Sequence, residues 1–174
     1  MRYWIRSKPD SPPYLRRHTV AAPVLNRVVA DFKCVATGDQ TIQLKSLRGQ
    51  KVVIYFYPKD STPGCTTESQ DFRDLHTKFR RQKTVILGVS RDSLASHEKF
   101  KEKQSFPFDL LSDPDEKICR KFDVIKEKSL YGRKFMGVER ATFLIDENGK
   151  LKKEWRKVKV KGHAQEVLDT VKNC

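Results

Sequence analysis

The chain has 174 residues, with 36 lysines and arginines against 22 aspartates and glutamates, which gives a formal net charge of +14. This length suits one domain around one hydrophobic core, and a hydrophobic fraction of 37% excludes a wholly disordered chain. No apolar stretch approaches the roughly 20 residues of a membrane-spanning helix, and the basic residues are spread along the chain, so neither a membrane nor a nucleic acid is the expected partner.

The amino-terminal segment differs in composition from the rest of the chain. Residues 1–20 contain three prolines, five basic residues and one acid without any periodicity, which predicts a basic irregular extension. They lack the apolar core and the small-residue cleavage site of a secretory signal, which favours a cytoplasmic location. Residues 21–174 are then expected to form the single domain.

The first regular elements are predicted from residue 32 onwards. A short apolar stretch over Phe32–Ala36, the turn residues 37–39 and the segment Thr41–Leu44 together indicate a β-hairpin. The run Val52–Tyr57 is continuously β-branched and aromatic, which is typical of a strand that is buried on both faces. We therefore predict that this run is a central strand of the sheet.

Helices and strands alternate after the central strand. Apolar residues at spacings of three and four predict a helix that runs to about Gln82, followed by a buried strand over Val85–Val89. A second amphipathic helix is predicted over Leu94–Gln104, with Ser93 as its capping residue. This strand, helix, strand, helix order indicates that the strands pair in parallel.

The last third of the chain predicts further elements of both kinds. They are a strand over Phe108–Leu111, a helix led by Ser112-Asp113-Pro114, a hairpin of Thr142–Ile145 with Leu151–Trp155 across Asn148-Gly149, and a helix over about His163–Lys172. The expected fold class is α/β, with a mixed central sheet flanked by helices and an N-terminal β-hairpin.

The chemically informative segment lies between the central strand and the first long helix. Thr62 followed by Pro63 is a typical helix start, so Cys65 falls in the first helical turn, close to unpaired backbone N–H groups. The helix end favours an anion there by about 0.3–1 kcal/mol, which favours a thiolate. The four cysteines show no CxxC spacing and no histidines at metal-site intervals, so no metal and no cofactor are expected.

Several segments resemble one protein family. The segments PKDSTPGCTTE (58–68), KVVIYFYP (51–58), GVERATFLID (137–146) and LLSDPDEKICRKFDV (110–124) closely resemble the peroxiredoxins, and specifically the bacterioferritin comigratory protein branch of the AhpC/TSA-like thiol peroxidases. The likeness extends from roughly Val28 to Val171. It implies a thioredoxin-like fold and a peroxidase that reduces hydrogen peroxide and organic hydroperoxides with a thiol reductant.

The resemblance also implies a role for each residue that matches the family motif. Cys65 would attack the peroxide O–O bond and become a sulfenic acid. Thr62 and the backbone N–H of Cys65 would hold the peroxide oxygens, and Arg140 would stabilise the thiolate and the leaving oxygen. Pro58 would shield the sulfur from water, and Glu68 would orient Arg140.

One feature of the family is missing from this chain. Many members carry a second cysteine five residues after the first, but Gln70 occupies that position, and Leu94–Gln104 also lacks a cysteine. No resolving cysteine is therefore assigned, although Cys119 and Cys174 stay open as candidates. We expect an external thiol, namely thioredoxin, glutaredoxin or glutathione, to recycle the enzyme, and we expect a monomer or a weak dimer.

A second hypothesis belongs to a different class of protein. The charge of +14 would also suit a non-catalytic, basic module of thioredoxin-like fold that binds nucleic acid or acts like a chaperone. Its signature would be steeply salt-dependent DNA binding that does not change when Cys65 is replaced by serine.

Overall fold

The computed structural model describes residues 21–174. The basic extension predicted for residues 1–20 lies outside the described residues, so it stays a prediction. None of the helices in the described part of the chain combines the length and the apolar character that crossing a bilayer requires.

Strands and helices follow one another closely through the described residues. Their bounds, in chain order, are β1 (Lys33–Ala36), β2 (Gln40–Gln43), a 3₁₀ helix (Leu44–Leu47), β3 (Lys51–Phe56), α1 (Pro63–Arg81), β4 (Thr84–Ser90), α2 (Leu94–Gln104), β5 (Asp109–Ser112), α3 (Lys117–Lys121), β6 (Ile125–Leu130), β7 (Arg133–Val138), β8 (Ala141–Ile145), β9 (Leu151–Trp155) and α4 (His163–Lys172).

Seven of the strands form one mixed sheet in the order β2-β1-β5-β4-β3-β8-β9. The central strands β3, β4 and β5 are parallel, whereas the flanking pairs are antiparallel. Every residue of β3 is buried, as expected for a β-branched strand that is covered on both faces. The predicted N-terminal hairpin, the parallel pairing and the mixed sheet are confirmed.

A separate hydrophobic core covers each face of the sheet. On one face, the odd-numbered residues of β3 pack with apolar residues of α1, α2 and α4, among them Cys65 and Phe72. On the other face, the even-numbered residues of β3 pack with α3, the 3₁₀ helix and the base of the β6–β7 hairpin, and Cys34 and Cys119 lie in this second core. Successive side chains of β3 point to opposite faces of the sheet. Cys65 therefore packs on one face, and Cys34 and Cys119 pack on the other.

The helix predicted from Ser112-Asp113-Pro114 is shorter than expected and begins later. The chain turns at Glu116, where φ is 59°, and α3 contains only the five residues Lys117–Lys121. The Asp113 carboxylate accepts hydrogen bonds from the amides of Ile118 (2.9 Å) and Cys119 (2.8 Å). The start of α3 is therefore stabilised by Asp113, and Pro114 lies outside the helix.

The β6–β7 hairpin was not predicted from the sequence. β6 is mostly polar, and β7 joins two basic residues to the adjacent apolar pair Phe135 and Met136. Most positions of both strands are exposed, so neither strand has the apolar alternation of a half-buried strand. The available signal is the turn Tyr131-Gly132, where both residues have positive φ values of 49° and 77°. Such a two-residue turn matches the twist of a hairpin.

Candidate active site

Cys65 lies in the first turn of α1, just after the loop that connects the central strand β3 to this helix. Thr62 is the N-cap of α1 and Pro63 is its first residue, as predicted, and the amide of Thr66 donates to the Thr62 carbonyl at 2.9 Å. The amide of Cys65 comes before that first helical bond, so no helical partner uses it. The Cys65 side chain is only 1% exposed.

The Thr62 side chain differs from the prediction in one respect. Its hydroxyl does not cap the helix amides, because it donates instead to the carbonyl of Lys59 at 2.9 Å. This bond closes the turn that precedes α1. It uses the hydroxyl hydrogen and leaves the oxygen as an acceptor.

Arg140 reaches the sulfur from a distant part of the sequence. Its Nη2 lies 3.3 Å from Cys65 Sγ. Arg140 directly precedes β8, and β8 pairs antiparallel with β3 so that Ala141 faces Phe56 at the end of β3. The strand register thus carries the arginine to the start of α1. A Cβ at Gly64 would lie 3.3 Å from Nη2, so the absence of a side chain there lets the guanidinium approach closely.

Glu68 completes the contacts around the guanidinium. It lies three residues after Cys65 on α1, is 1% exposed, and forms an ion pair with Arg140 through Oε2 and Nη1. Its other oxygen, Oε1, has no hydrogen-bond partner among the described residues. Burial raises the pKa of Glu68 to about 7, even though the charge of Arg140 and the hydrogen bond from it act in the opposite direction.

This raised pKa predicts a pH dependence of stability. Folding raises the pKa of Glu68 above its ordinary value of 4.5, so the folded protein favours the protonated carboxyl group. The contribution of this group to folding stability is therefore complete below about pH 4.5 and is lost as the pH rises through about 7. Relative to Glu68→Gln, the free energy of unfolding of the wild type should fall by about 3 kcal/mol between these limits. Urea unfolding of both proteins at several pH values measures this, and a constant difference would contradict it.

Lys128 is a second cation near the site, and no sequence motif distinguishes it from the other basic residues. It lies on β6 and is half-buried. Burial lowers its pKa, repulsion from Arg140 lowers it further, and the Cys65 thiolate acts in the opposite direction. Lys128 was not predicted as a site residue because the strand that carries it, β6, was not predicted either.

The geometry therefore unites three of the five predicted site residues in direct contact: Cys65, Arg140 and Glu68. Thr62 lies three residues before the cysteine at the helix start, and Pro58 is half-buried in the loop that follows β3. A family model described as "AhpC/TSA family" matches residues 25–154, a range that contains all five residues.

The chain belongs to the AhpC/TSA family. The Peroxiredoxin Bcp of Bacillus subtilis is 54% identical over 143 residues, which cover 82% of this chain and 91% of that protein. The Peroxiredoxin Bcp of Escherichia coli K12 is 38% identical over 78% of this chain and 86% of its own length. The chain is thus a peroxiredoxin of the bacterioferritin comigratory protein branch.

Solved structures of peroxiredoxins share its fold. The Xylella fastidiosa PrxQ superimposes with a TM-score of 0.83 at 41% identity, covering 88% of this chain and 98% of that one. Peroxiredoxin Q of Xanthomonas campestris gives a TM-score of 0.79 at 51% identity, covering 82% and 90%. The predicted thioredoxin-like fold is confirmed, and the protein is a thiol peroxidase that uses a peroxide substrate and a thiol reductant.

The other cysteines of this peroxiredoxin have different surroundings. Burial, followed by the charge of Asp113, raises the pKa of Cys34 to about 12 and also raises the pKa of Cys119. Both thiols are therefore poor nucleophiles near neutral pH. Cys174 is exposed. Among residues 21–174, no group of histidine, cysteine, aspartate and glutamate side chains is arranged to hold a metal ion.

Proposed function

We propose that Cys65 is the cysteine that attacks the peroxide, and that hydrogen peroxide and organic hydroperoxides are both substrates. The single observation that carries this proposal is the 3.3 Å contact between Cys65 Sγ and Arg140 Nη2 at the start of α1. A guanidinium and a helix N-terminus beside one sulfur favour its thiolate, which is the reactive form of a cysteine. The other buried thiols lack this combination.

The proposed first step transfers one oxygen atom. The Cys65 thiolate attacks the nearer oxygen of ROOH, an S–O bond forms as the O–O bond breaks, and the departing RO⁻ takes up a proton to leave as ROH. The sulfur is oxidised to a sulfenic acid and the peroxide is reduced. Arg140 stabilises the charge that develops on the departing oxygen. The Thr62 oxygen accepts from the peroxide hydroxyl, and the Cys65 amide donates to a peroxide oxygen.

Glu68 and Pro58 have supporting roles in this proposal. The ion pair with Glu68 fixes one nitrogen of the Arg140 guanidinium, so the other nitrogen is held against the sulfur. Pro58 limits the access of water to the sulfur, in keeping with the 1% exposure of Cys65. Keeping water away from the sulfur lowers the local dielectric constant, which strengthens the attraction between the thiolate and the arginine.

The proposed recycling needs an external thiol. The thiol R′SH attacks the Cys65 sulfenic acid and releases water, and a second thiol then reduces the mixed disulfide and restores the Cys65 thiol. Cys34 and Cys119 pack in the core on the opposite face of the sheet from Cys65. An intramolecular disulfide with either of them would require the sheet to open.

Cys174 is separated from Cys65 by the length of the central strand. Its carbonyl accepts a hydrogen bond from Lys51 Nζ (3.0 Å), and Lys51 is the first residue of β3. Cys65 follows the other end of this six-residue strand, which spans about 20 Å. A disulfide needs a Cα separation of about 5.5 Å, so this distance supports a one-cysteine mechanism.

One equivalent of peroxide should therefore produce a sulfenic acid at Cys65 and no intramolecular disulfide. Dimedone trapping followed by non-reducing mass spectrometry measures both species. Cys174→Ser should give the same yield of trapped Cys65, because the exposed terminal thiol takes no part. A disulfide joining Cys65 to Cys119 or Cys174 would overturn the one-cysteine mechanism but not the assignment of Cys65.

The proposal also covers the substrate range, the reductant and the oligomeric state. Structures of the Xanthomonas campestris bacterioferritin comigratory protein come from work on its alkyl peroxide reduction activity, which supports organic hydroperoxides as substrates here. We propose thioredoxin, glutaredoxin or glutathione as the reductant and a monomer or weak dimer as the working form. The four cysteines are free, which suits a reducing compartment such as the cytoplasm.

A further inference from the structure

A buried polar cluster holds the loop between β3 and α1, and the proposed chemistry does not use it. The Asp60 carboxylate accepts three hydrogen bonds, from Tyr57 Oη (2.7 Å), Ser96 Oγ (2.8 Å) and His97 Nδ1 (2.8 Å). The Asp60 side chain is 3% exposed and that of His97 is 0% exposed. Ser96 and His97 lie in the first turn of α2, so the carboxylate ties this helix to the loop.

Both ring nitrogens of His97 have hydrogen-bond partners on other elements. His97 Nε2 lies 3.0 Å from the carbonyl oxygen of Leu111, which belongs to β5. Nδ1 lies 2.8 Å from the Asp60 carboxylate. The imidazole ring therefore joins the loop after β3 to both α2 and β5.

The backbone of the same loop is fixed by a second carboxylate. The amide of Asp60 donates to Asp92 Oδ2 at 3.0 Å, and Ser90 Oγ donates to the same oxygen at 2.5 Å. The next residue, Ser61, has a φ of 60°, in the left-handed region that non-glycine residues rarely adopt. The loop is thus held in a strained conformation by contacts on both its side chain and its backbone.

We propose that Asp60 and His97 form a positioning pair that sets the peroxide-binding geometry of the loop. Asp60 lies midway between Pro58 and Thr62, so a shift of its carboxylate moves both of them relative to Cys65. The inference rests on the proposed roles of Pro58 and Thr62. Neither Asp60 nor His97 contacts the sulfur, and the pair acts through the loop rather than on the reacting atoms.

The hydrogen bonds of this pair are directional, and apolar side chains in the same place would not have them. Apolar side chains of similar volume can fill such a space at least as favourably as a buried ion pair. A carboxylate with three donors, by contrast, has one position that satisfies all three. The pair therefore specifies the position of the loop rather than only its burial.

The test compares two reactions of Cys65 in Asp60→Asn, His97→Gln and the double variant. The rate constant for oxidation by hydrogen peroxide, from stopped-flow fluorescence, should fall about 10-fold to 100-fold, as expected for a displacement of about 1 Å. Alkylation by iodoacetamide, which needs the thiolate but no peroxide geometry, should stay close to the wild-type rate. The double variant should be about as slow as the slower single variant, because either change breaks the same pair.

A histidine outside the cluster provides the control. His76→Gln replaces a half-buried histidine on α1 outside the cluster and should oxidise at the wild-type rate. If circular dichroism shows that the Asp60 and His97 variants do not fold, Tyr57→Phe and Ser96→Ala each remove one donor to Asp60 and should show a smaller loss of the same kind. Folded variants that oxidise at the wild-type rate, or that lose both reactions equally, would overturn the positioning role.

A failure of this inference is distinguishable from a failure of the proposed function. If Cys65→Ser abolishes peroxide consumption while the Asp60 and His97 variants match the wild type, only the positioning pair is wrong. If Cys65→Ser consumes peroxide at the wild-type rate, the proposed reaction at Cys65 is wrong.

Discussion

Replacement of Cys65 by serine is expected to reduce peroxide consumption to the rate of dithiothreitol alone. The serine hydroxyl stays protonated beside Arg140, and it lacks the polarisable sulfur that accepts the transferred oxygen. The substitution changes one atom in a side chain that is 1% exposed, so the fold should be retained. Consumption of hydrogen peroxide and of cumene hydroperoxide, each with dithiothreitol in excess, measures the effect.

The matched control is the exposed cysteine. Cys174→Ser removes a thiol that lies beyond α4, at the far end of the central strand from Cys65. It should consume peroxide at the wild-type rate with dithiothreitol. Wild-type turnover by Cys65→Ser would refute the assignment of the reactive cysteine, and a loss in Cys174→Ser would show that the terminal thiol takes part in recycling.

Replacement of Arg140 by methionine is expected to slow the oxidation of Cys65 by about 100-fold to 1,000-fold, the usual cost of removing one group that stabilises a transition-state charge. The guanidinium contacts the sulfur at 3.3 Å and also pairs with Glu68. Stopped-flow fluorescence measures the rate of this oxidation.

Further variants separate the charge of Arg140 from its shape. Arg140→Lys keeps the charge but lacks the fork that contacts Cys65 and Glu68 together, so an intermediate rate is expected. Arg140→Met with Glu68→Gln also replaces the buried carboxyl group that has lost its partner, which should restore stability without restoring the rate. Arg80→Met, at an exposed position near the end of α1, serves as the control. Oxidation of Arg140→Met at the wild-type rate would remove the arginine from the mechanism.

Local sequence patterns predicted most of the regular elements. The apolar run at residues 52–57 became the buried strand β3, and the helix predicted over about His163–Lys172 was confirmed with those bounds. The helix start at Thr62-Pro63 also placed Cys65 in the first turn of α1. These features depend on neighbours within a few residues, through apolar periodicity, capping and backbone restriction. The largely exposed β6–β7 hairpin lacks such a pattern and was not predicted.

The site itself required contacts between distant segments. Cys65 and Arg140 are 75 residues apart, and only the register of β8 against β3 brings them together. The family resemblance anticipated Arg140, whereas the residues alone did not distinguish it among 36 basic residues. The Asp60–His97 pair joins a loop to α2 over 37 residues in the same way.

The amino-acid sequence by itself determined most of the elements and their order, the helix start at Thr62-Pro63 that places Cys65 in the first turn, and the membership of the peroxiredoxins. Only the tertiary structure decided which charges surround the sulfur and which face of the sheet each buried cysteine occupies. The physical reason is that helix and strand propensities act along the chain, whereas strand register and burial bring distant side chains within a few ångströms of one another.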